Sequence, residues 1–162
     1  MDSGQMVIVN LAKGRLGTDI SNVMGGLITS SIMQAAFTRH GTPELTRKPF
    51  FLYVDEFHNL TTQSFAGLLS EARKYGLGLI LAHQHLSQTN TDVRDAILGN
   101  VGTMVVYRVG ANDAPLFERV LQPFSALDLQ NQRNHSASVW LMNGGERALP
   151  FSASMYPPYH AG

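Results

Sequence analysis

The 162-residue sequence contains no cysteine. That excludes a disulfide scaffold, a thiol nucleophile and a zinc–thiolate centre, and it fits a reducing compartment. The sequence also has no excess of charge, since twelve Lys and Arg balance twelve Asp and Glu. No overall field therefore draws the chain to nucleic acid or to an anionic membrane, and any such contact must be local. Long apolar runs are missing too: Leu77 to Ala82 falls far short of the roughly 20 residues that cross a bilayer. The opening Met1-Asp2-Ser3-Gly4-Gln5 lacks the basic segment and apolar core of a secretory signal. A phosphate-gripping loop, Gly-x-x-x-x-Gly-Lys followed by Ser or Thr, occurs nowhere in the 162 residues. The glycines of Gly14 to Gly17 and Met24 to Leu27 do not substitute, because no lysine opens a helix behind them. The expectation is a soluble, cytoplasmic domain with a core of its own.

Apolar runs and helical stripes alternate along the chain. Met6 to Asn10 reads as a buried strand running into a loop marked by Gly14 and Gly17. Val23, Met24, Leu27, Ile28, Ser31, Ile32, Ala35 and Ala36 recur at helical spacing up to Arg39, with Asp19 or Ser21 able to cap the start. His40 to Pro49 is a polar linker. Phe50 to Val54 is apolar without alternation, which predicts a parallel strand covered on both faces. Phe65, Leu68, Leu69, Ala72 and Tyr75 form a helical stripe within Ser64 to Tyr75, Gly76 is placed to cap its end, and Leu77 to Ala82 is the next strand.

Beyond these, the pattern predicts a short helix at Thr91 to Leu98, a strand at Thr103 to Arg108 and a helix at Ala111 to Leu121. A hairpin follows, turning at Asn143-Gly144-Gly145 between Ser138 to Met142 and Arg147 to Phe151. The expected fold is α/β: three layers, a mostly parallel sheet flanked by helices, and a C-terminal hairpin, with residues 1–154 as one domain part and 155–162 as a loose tail. In such folds ligands sit at the carboxyl ends of the strands.

Asp55 and Glu56 directly follow the strand at Val54. Two adjacent carboxylates repel and lose hydration unless something resolves the conflict. In a nucleotide hydrolase the first acid would hold Mg2+ bound to phosphates and the second would orient the attacking water. The alternative is a pair capping a helix or facing solvent. Gln84 follows the next parallel strand, so it should emerge on the same edge as Glu56, where a neutral amide can bond phosphate or water without taking its proton. It could equally be an ordinary loop residue.

Arg73 and Lys74 end a helix, where the dipole alone favours cations. Arg73 could otherwise reach a phosphate on a neighbouring subunit, and Arg108 offers a second cation for that role or for an internal ion pair. Lys13 and Arg15 are local cations in a Gly-bounded loop. Asp55, Glu56, His58, His83 and His85 raise a further possibility, a metal-dependent hydrolase. Against it, His83 and His85 should point to opposite sides of a continuing strand.

Several segments together resemble a known family. They are Val9-Asn10-Leu11-Ala12-Lys13-Gly14-Arg15-Leu16-Gly17, Phe51-Leu52-Tyr53-Val54-Asp55-Glu56-Phe57-His58-Asn59-Leu60, Glu71-Ala72-Arg73-Lys74-Tyr75-Gly76-Leu77 and Leu81-Ala82-His83-Gln84-His85-Leu86-Ser87-Gln88. Gly99 to Thr103 and Tyr107 to Ala114 extend the match. The chain, from about Met6 to Leu121, is similar to the carboxyl half of the motor domain of type IV secretion coupling proteins and their HerA/FtsK-like relatives. The resemblance implies a RecA-like domain in a ring, usually a hexamer, that uses ATP and Mg2+ to move DNA in conjugation. Secretion-channel or relaxase proteins are the further partners it implies, with DNA held at pore loops. It gives Asp55 and Glu56 the second nucleotide motif (Walker B), Gln84 the polar sensor and Arg73 the arginine finger. The departure is the missing phosphate loop. Either the chain is a piece of a longer ATPase, inactive alone and anchored to a membrane only through other segments, or it is a non-catalytic assembly or DNA-docking relative.

Overall fold

Two short apolar runs build the first sheet. β1 (Phe50–Val54) and β2 (Leu77–Leu81) pair in parallel, Phe50 beside Leu77 and Val54 beside Leu81. The computed structural model describes residues 1–60 and 63–156. They form a mixed α/β structure of two compact units, the first made of described residues within Met1–Gln84 and Gln88–Asn100, the second of His85–Ser87 and the described residues from Val101 onward.

In the first unit, α1 (Lys13–Leu16) is a single turn and α2 (Thr18–Phe37) a long helix. The segment expected as a loop around Lys13 and Arg15 is therefore helical. Gly17 caps α2 at φ 82°, a conformation glycine adopts at no steric cost. Asp19 sits in the first turn and Ser21 donates its hydroxyl to the Gly17 carbonyl at 2.8 Å, so neither is the cap. Short 3-10 turns at Thr38–Gly41 and Glu44–Thr46 fill the expected linker.

From β1 the chain passes through a 3-10 turn at Phe57–Leu60 and α3 (Gln63–Glu71), which tightens to a 3-10 turn at Ala72–Tyr75. Gly76, left-handed at φ 69°, ends it as the sequence predicts. α4 (Thr91–Asn100) completes the unit. Ala36, Leu68, Ala72 and Leu77 are its buried centre, with Ile32, Met33, Phe50, Leu52, Tyr75 and Leu79 packed against them.

Two expectations fail here for one reason. Met6 to Val9 form no strand and lie exposed, and β1 is open on one face, with Phe51 60% and Tyr53 73% exposed. A strand needs a paired neighbour and a covered face needs a covering element. Among the described residues nothing supplies either.

The second unit is antiparallel. β3 (Thr103–Val106) pairs with β4 (Ser136–Asn143), whose other side takes β6 (Phe151–Ser154). The expected hairpin is present: Met142 pairs with Arg147 and Asn143 with Glu146 of β5 (Glu146–Arg147). Gly144 and Gly145 turn it at φ 61° and 90°, values β-carbons resist. Arg147 lies 4.1 Å over the Trp140 ring. The predicted helix at Ala111 to Leu121 is shorter, α5 (Ala114–Glu118), and a further helix, α6 (Ala126–Gln130), follows it. Met155 and Tyr156 have no regular structure, and the rest of the expected tail lies outside the described residues. Among the described residues no helix is long and apolar enough to cross a membrane.

Candidate functional site

Parallel register aligns the ends of β1 and β2 and then continues past them. The Ala82 N–H donates to Val54 O at 2.9 Å and the Phe57 N–H to Ala82 O at 3.4 Å. The residues leaving the two strands are thereby held side by side at the carboxyl edge. Glu56 takes φ 50°, the left-handed region where a side chain costs about 1–2 kcal/mol. Asp55 Oδ1 accepts the Glu56 N–H at 3.0 Å and helps fix that turn.

Three side chains converge on one carboxylate. His83 Nδ1 lies 3.2 Å and His58 Nδ1 3.4 Å from Glu56 Oε2, and the Gln84 side chain hydrogen-bonds the same carboxylate. The imidazole rings of His58 and His83 are 4.7 Å apart. Phe57 tilts against His83 at 4.8 Å and stacks on buried Phe65 at 6.1 Å, so an apolar floor sets the His83 ring. The His83 side chain is only 6% exposed, and its Nε2 meets no partner among the described residues.

Burial raises the Glu56 carboxyl, but the His83 hydrogen bond, the His83 and His58 charges and the Gln84 hydrogen bond outweigh it and hold it below the usual carboxylate value. His58 is pushed down by its burial, then by the His83 and Lys13 charges, against the pull of Glu56. Glu56 is thereby held toward its ionised form and His58 toward its neutral form. Lys13 of α1 is thus within electrostatic reach of this edge, which its sequence position did not reveal.

Asp55 is exposed, and its second carboxylate oxygen meets no donor among the described residues. An oxygen donor on a strand edge facing solvent fits a hard cation such as Mg2+. Arg73 sits in the 3-10 turn before β2, whereas Gln84 follows β2. The five residues of β2 put roughly 16 Å between those edges, so Arg73 does not join Glu56 within this chain. It is exposed.

His85 takes a different partner from His83. It faces buried Asp113 at 3.9 Å, and Asp113 also accepts the Ser87 N–H at 2.6 Å. The metal-ligating set suggested by the sequence is therefore reduced to Glu56, His58 and His83, whose donor atoms lie within 4.8 Å of one another. Arg108 lines a separate shallow hollow in the second unit with Tyr107, Arg133 and His135.

The sequence pattern described as the TraM recognition site of TraD and TraG matches residues 49–136. No curated protein matches the chain. Among solved structures, the fold is similar to the plasmid coupling protein TrwB in complex with a non-hydrolysable ATP analogue, with a TM-score of 0.66 and 17% identity over 92% of this chain and 38% of TrwB. TrwB with ADP and Mg2+ gives a TM-score of 0.65 and 18% identity over 88% of this chain and 39% of TrwB. The genome packaging NTPase B204 of Sulfolobus turreted icosahedral virus 2, with AMPPCP, gives 0.57 and 15% over 82% of this chain and 63% of B204. The chain spans about two fifths of the coupling protein's length.

Proposed function

The chain belongs to the family described as the TraM recognition site of TraD and TraG, and on that premise we propose that it is the part of an ATP-driven conjugative coupling protein that handles the reacting phosphate. The observation that carries this reading is the meeting of the Glu56 carboxylate and the Gln84 side chain at the carboxyl edge of a parallel strand pair, beside the exposed carboxylate of Asp55.

Each residue has a role its chemistry suits. Asp55 would hold Mg2+, which would neutralise phosphate charge when bound. Glu56, kept ionised by its neighbours, orients a water and draws on its proton. Gln84 offers an amide that bonds Glu56 and leaves a second donor for phosphate or water. Arg73, exposed at the opposite edge, is available to the site of a neighbouring subunit in a ring, where a guanidinium would offset charge developing on the transferred phosphoryl group. The phosphate-gripping loop is absent from these 162 residues, so nucleotide would be held jointly with other segments. The substrate moved would be DNA in conjugation, as the resemblance implies, and a TraM-like protein would be a partner, TraM being the one the family description names. Lys13 and Arg15 are the local cations for DNA contact.

The test is ATP turnover by the complete coupling-protein assembly. Glu56→Gln should lower the rate about 10²–10⁴-fold while MgATP binding persists. Turnover within a factor of two of the parent would reject the assignment. The 162-residue chain by itself should show negligible turnover.

A further inference from the structure

The convergence at Glu56 has a donor chemistry that the ATPase reading does not use. Magnesium and its phosphates call for oxygen ligands, whereas Glu56, His58 and His83 present one oxygen and two imidazole nitrogens. Two of their three separations are those of ligands around a small ion, and all three donor atoms lie within 4.8 Å of one another. With metal–ligand bonds of 2.0–2.2 Å, the edges of a tetrahedron measure about 3.3–3.6 Å. The two nitrogen-to-oxygen separations here are 3.2 and 3.4 Å.

We propose that Glu56, His58 and His83 form a three-ligand site for a divalent transition metal of the zinc class. The fourth position is left to water or to an incoming ligand. The scaffold is already set. His83 is buried against Phe57 and held by the end of β2, Glu56 is fixed by the left-handed turn and the Asp55 bond, and His58 lies on the 3-10 turn between β1 and α3. Little ordering is left to oppose binding. The Asp55 and Glu56 carboxylates outweigh the nearby Lys13 ammonium, so the local field favours a cation. Hydrogen bonds from two imidazoles to one carboxylate would give the same apo geometry, so metal affinity is the discriminating property. The two readings are tested apart: a failed metal titration would leave the ATPase reading intact, an active Glu56→Gln assembly would leave the metal site intact, and Zn2+ held by Glu56 would compete with its action on water.

The experiment is titration of the purified, full 162-residue chain with Zn2+ by calorimetry, with Co2+ as a spectroscopic probe. The expected result is one Zn2+ per chain at micromolar or tighter Kd, visible tetrahedral Co2+ bands, and no displacement by millimolar Mg2+. His58→Ala and His83→Ala should each weaken binding on the order of 100-fold, with exposed His40→Ala as the unchanged control. Because a buried histidine variant can misfold, the imidazole nitrogen resonances of the unaltered chain supply a second readout. Zn2+ should shift the Nδ1 signals of both His58 and His83 and leave the other histidines in place. Affinity no better than millimolar, binding that survives either substitution, or shifts confined to other histidines would overturn the site.

Discussion

His83 Nδ1 lies 3.2 Å from Glu56 Oε2 across 27 residues of sequence. The pairing of β1 with β2 accounts for this directly, since it brings Val54 beside Leu81 and extends by two further backbone hydrogen bonds. The contact is a consequence of strand register, and it concentrates a carboxylate, an amide and two imidazoles where parallel α/β folds place their ligands.

Glu56 pays for its position in backbone conformation. At φ 50° a β-carbon is strained, so Glu56→Gly should be more stable than Glu56→Ala by about 1 kcal/mol, although neither keeps the carboxylate. Urea denaturation of the two variants checks this. Equal midpoints would show that the turn relaxes once the carboxylate is gone.

Arg39 is a structural cation that the sequence did not announce. It is 3% exposed and donates to Tyr75 O at 2.9 Å and to Asp2 Oδ1 at 2.7 Å. Arg39→Met leaves the Tyr75 carbonyl without that donor and should lower stability by about 1–3 kcal/mol. Asp2→Asn should lower it by less than about 1 kcal/mol, because the aspartate is 67% exposed and screened. Denaturant unfolding of both variants decides between these magnitudes.

Asp128 gives the second unit an acid-sensitive element. Hydrogen bonds from the Ser125 hydroxyl and then the Ser125 N–H lower its pKa below the usual 3.8. A carboxyl depressed in the folded state contributes stability that is complete above its unfolded value and is lost as pH falls through its folded value. Thermal melts between pH 5 and 2 should therefore decline less steeply in Asp128→Asn than in the parent. Parallel declines would remove the capping box from the account of α6.

Much of the first sheet is legible because its causes are local. The unbroken apolar runs at Phe50 and Leu77 mark strands, Gly76 marks the helix end, and Gly144-Gly145 marks the hairpin. Met6 to Val9 misleads because strand composition cannot supply a pairing partner. α6 does not stand out in the sequence despite a local signal, the Ser125-x-x-Asp128 capping box, because its five residues carry too short a periodic pattern. Asp55 and Glu56 stand out as acids after an apolar run. The convergence of His58 and His83 on one oxygen depends on a left-handed turn and on the tilt of a ring against Phe57, neither of which is written in spacing. Arg73 illustrates the converse: its sequence context is suggestive, and its position at the opposite edge follows only from the direction of β2.

The central proposal is that Glu56 and Gln84 act on one reacting phosphate. The most direct measurement is a double-mutant cycle on single-turnover ATP hydrolysis in the complete assembly, with Glu56→Gln, Gln84→Ala and the pair. Residues that serve one transition state lose far less together than their separate losses would add up to. The double variant should fall within about tenfold of the slower single variant. Losses that multiply independently would separate the two residues and contradict a shared site.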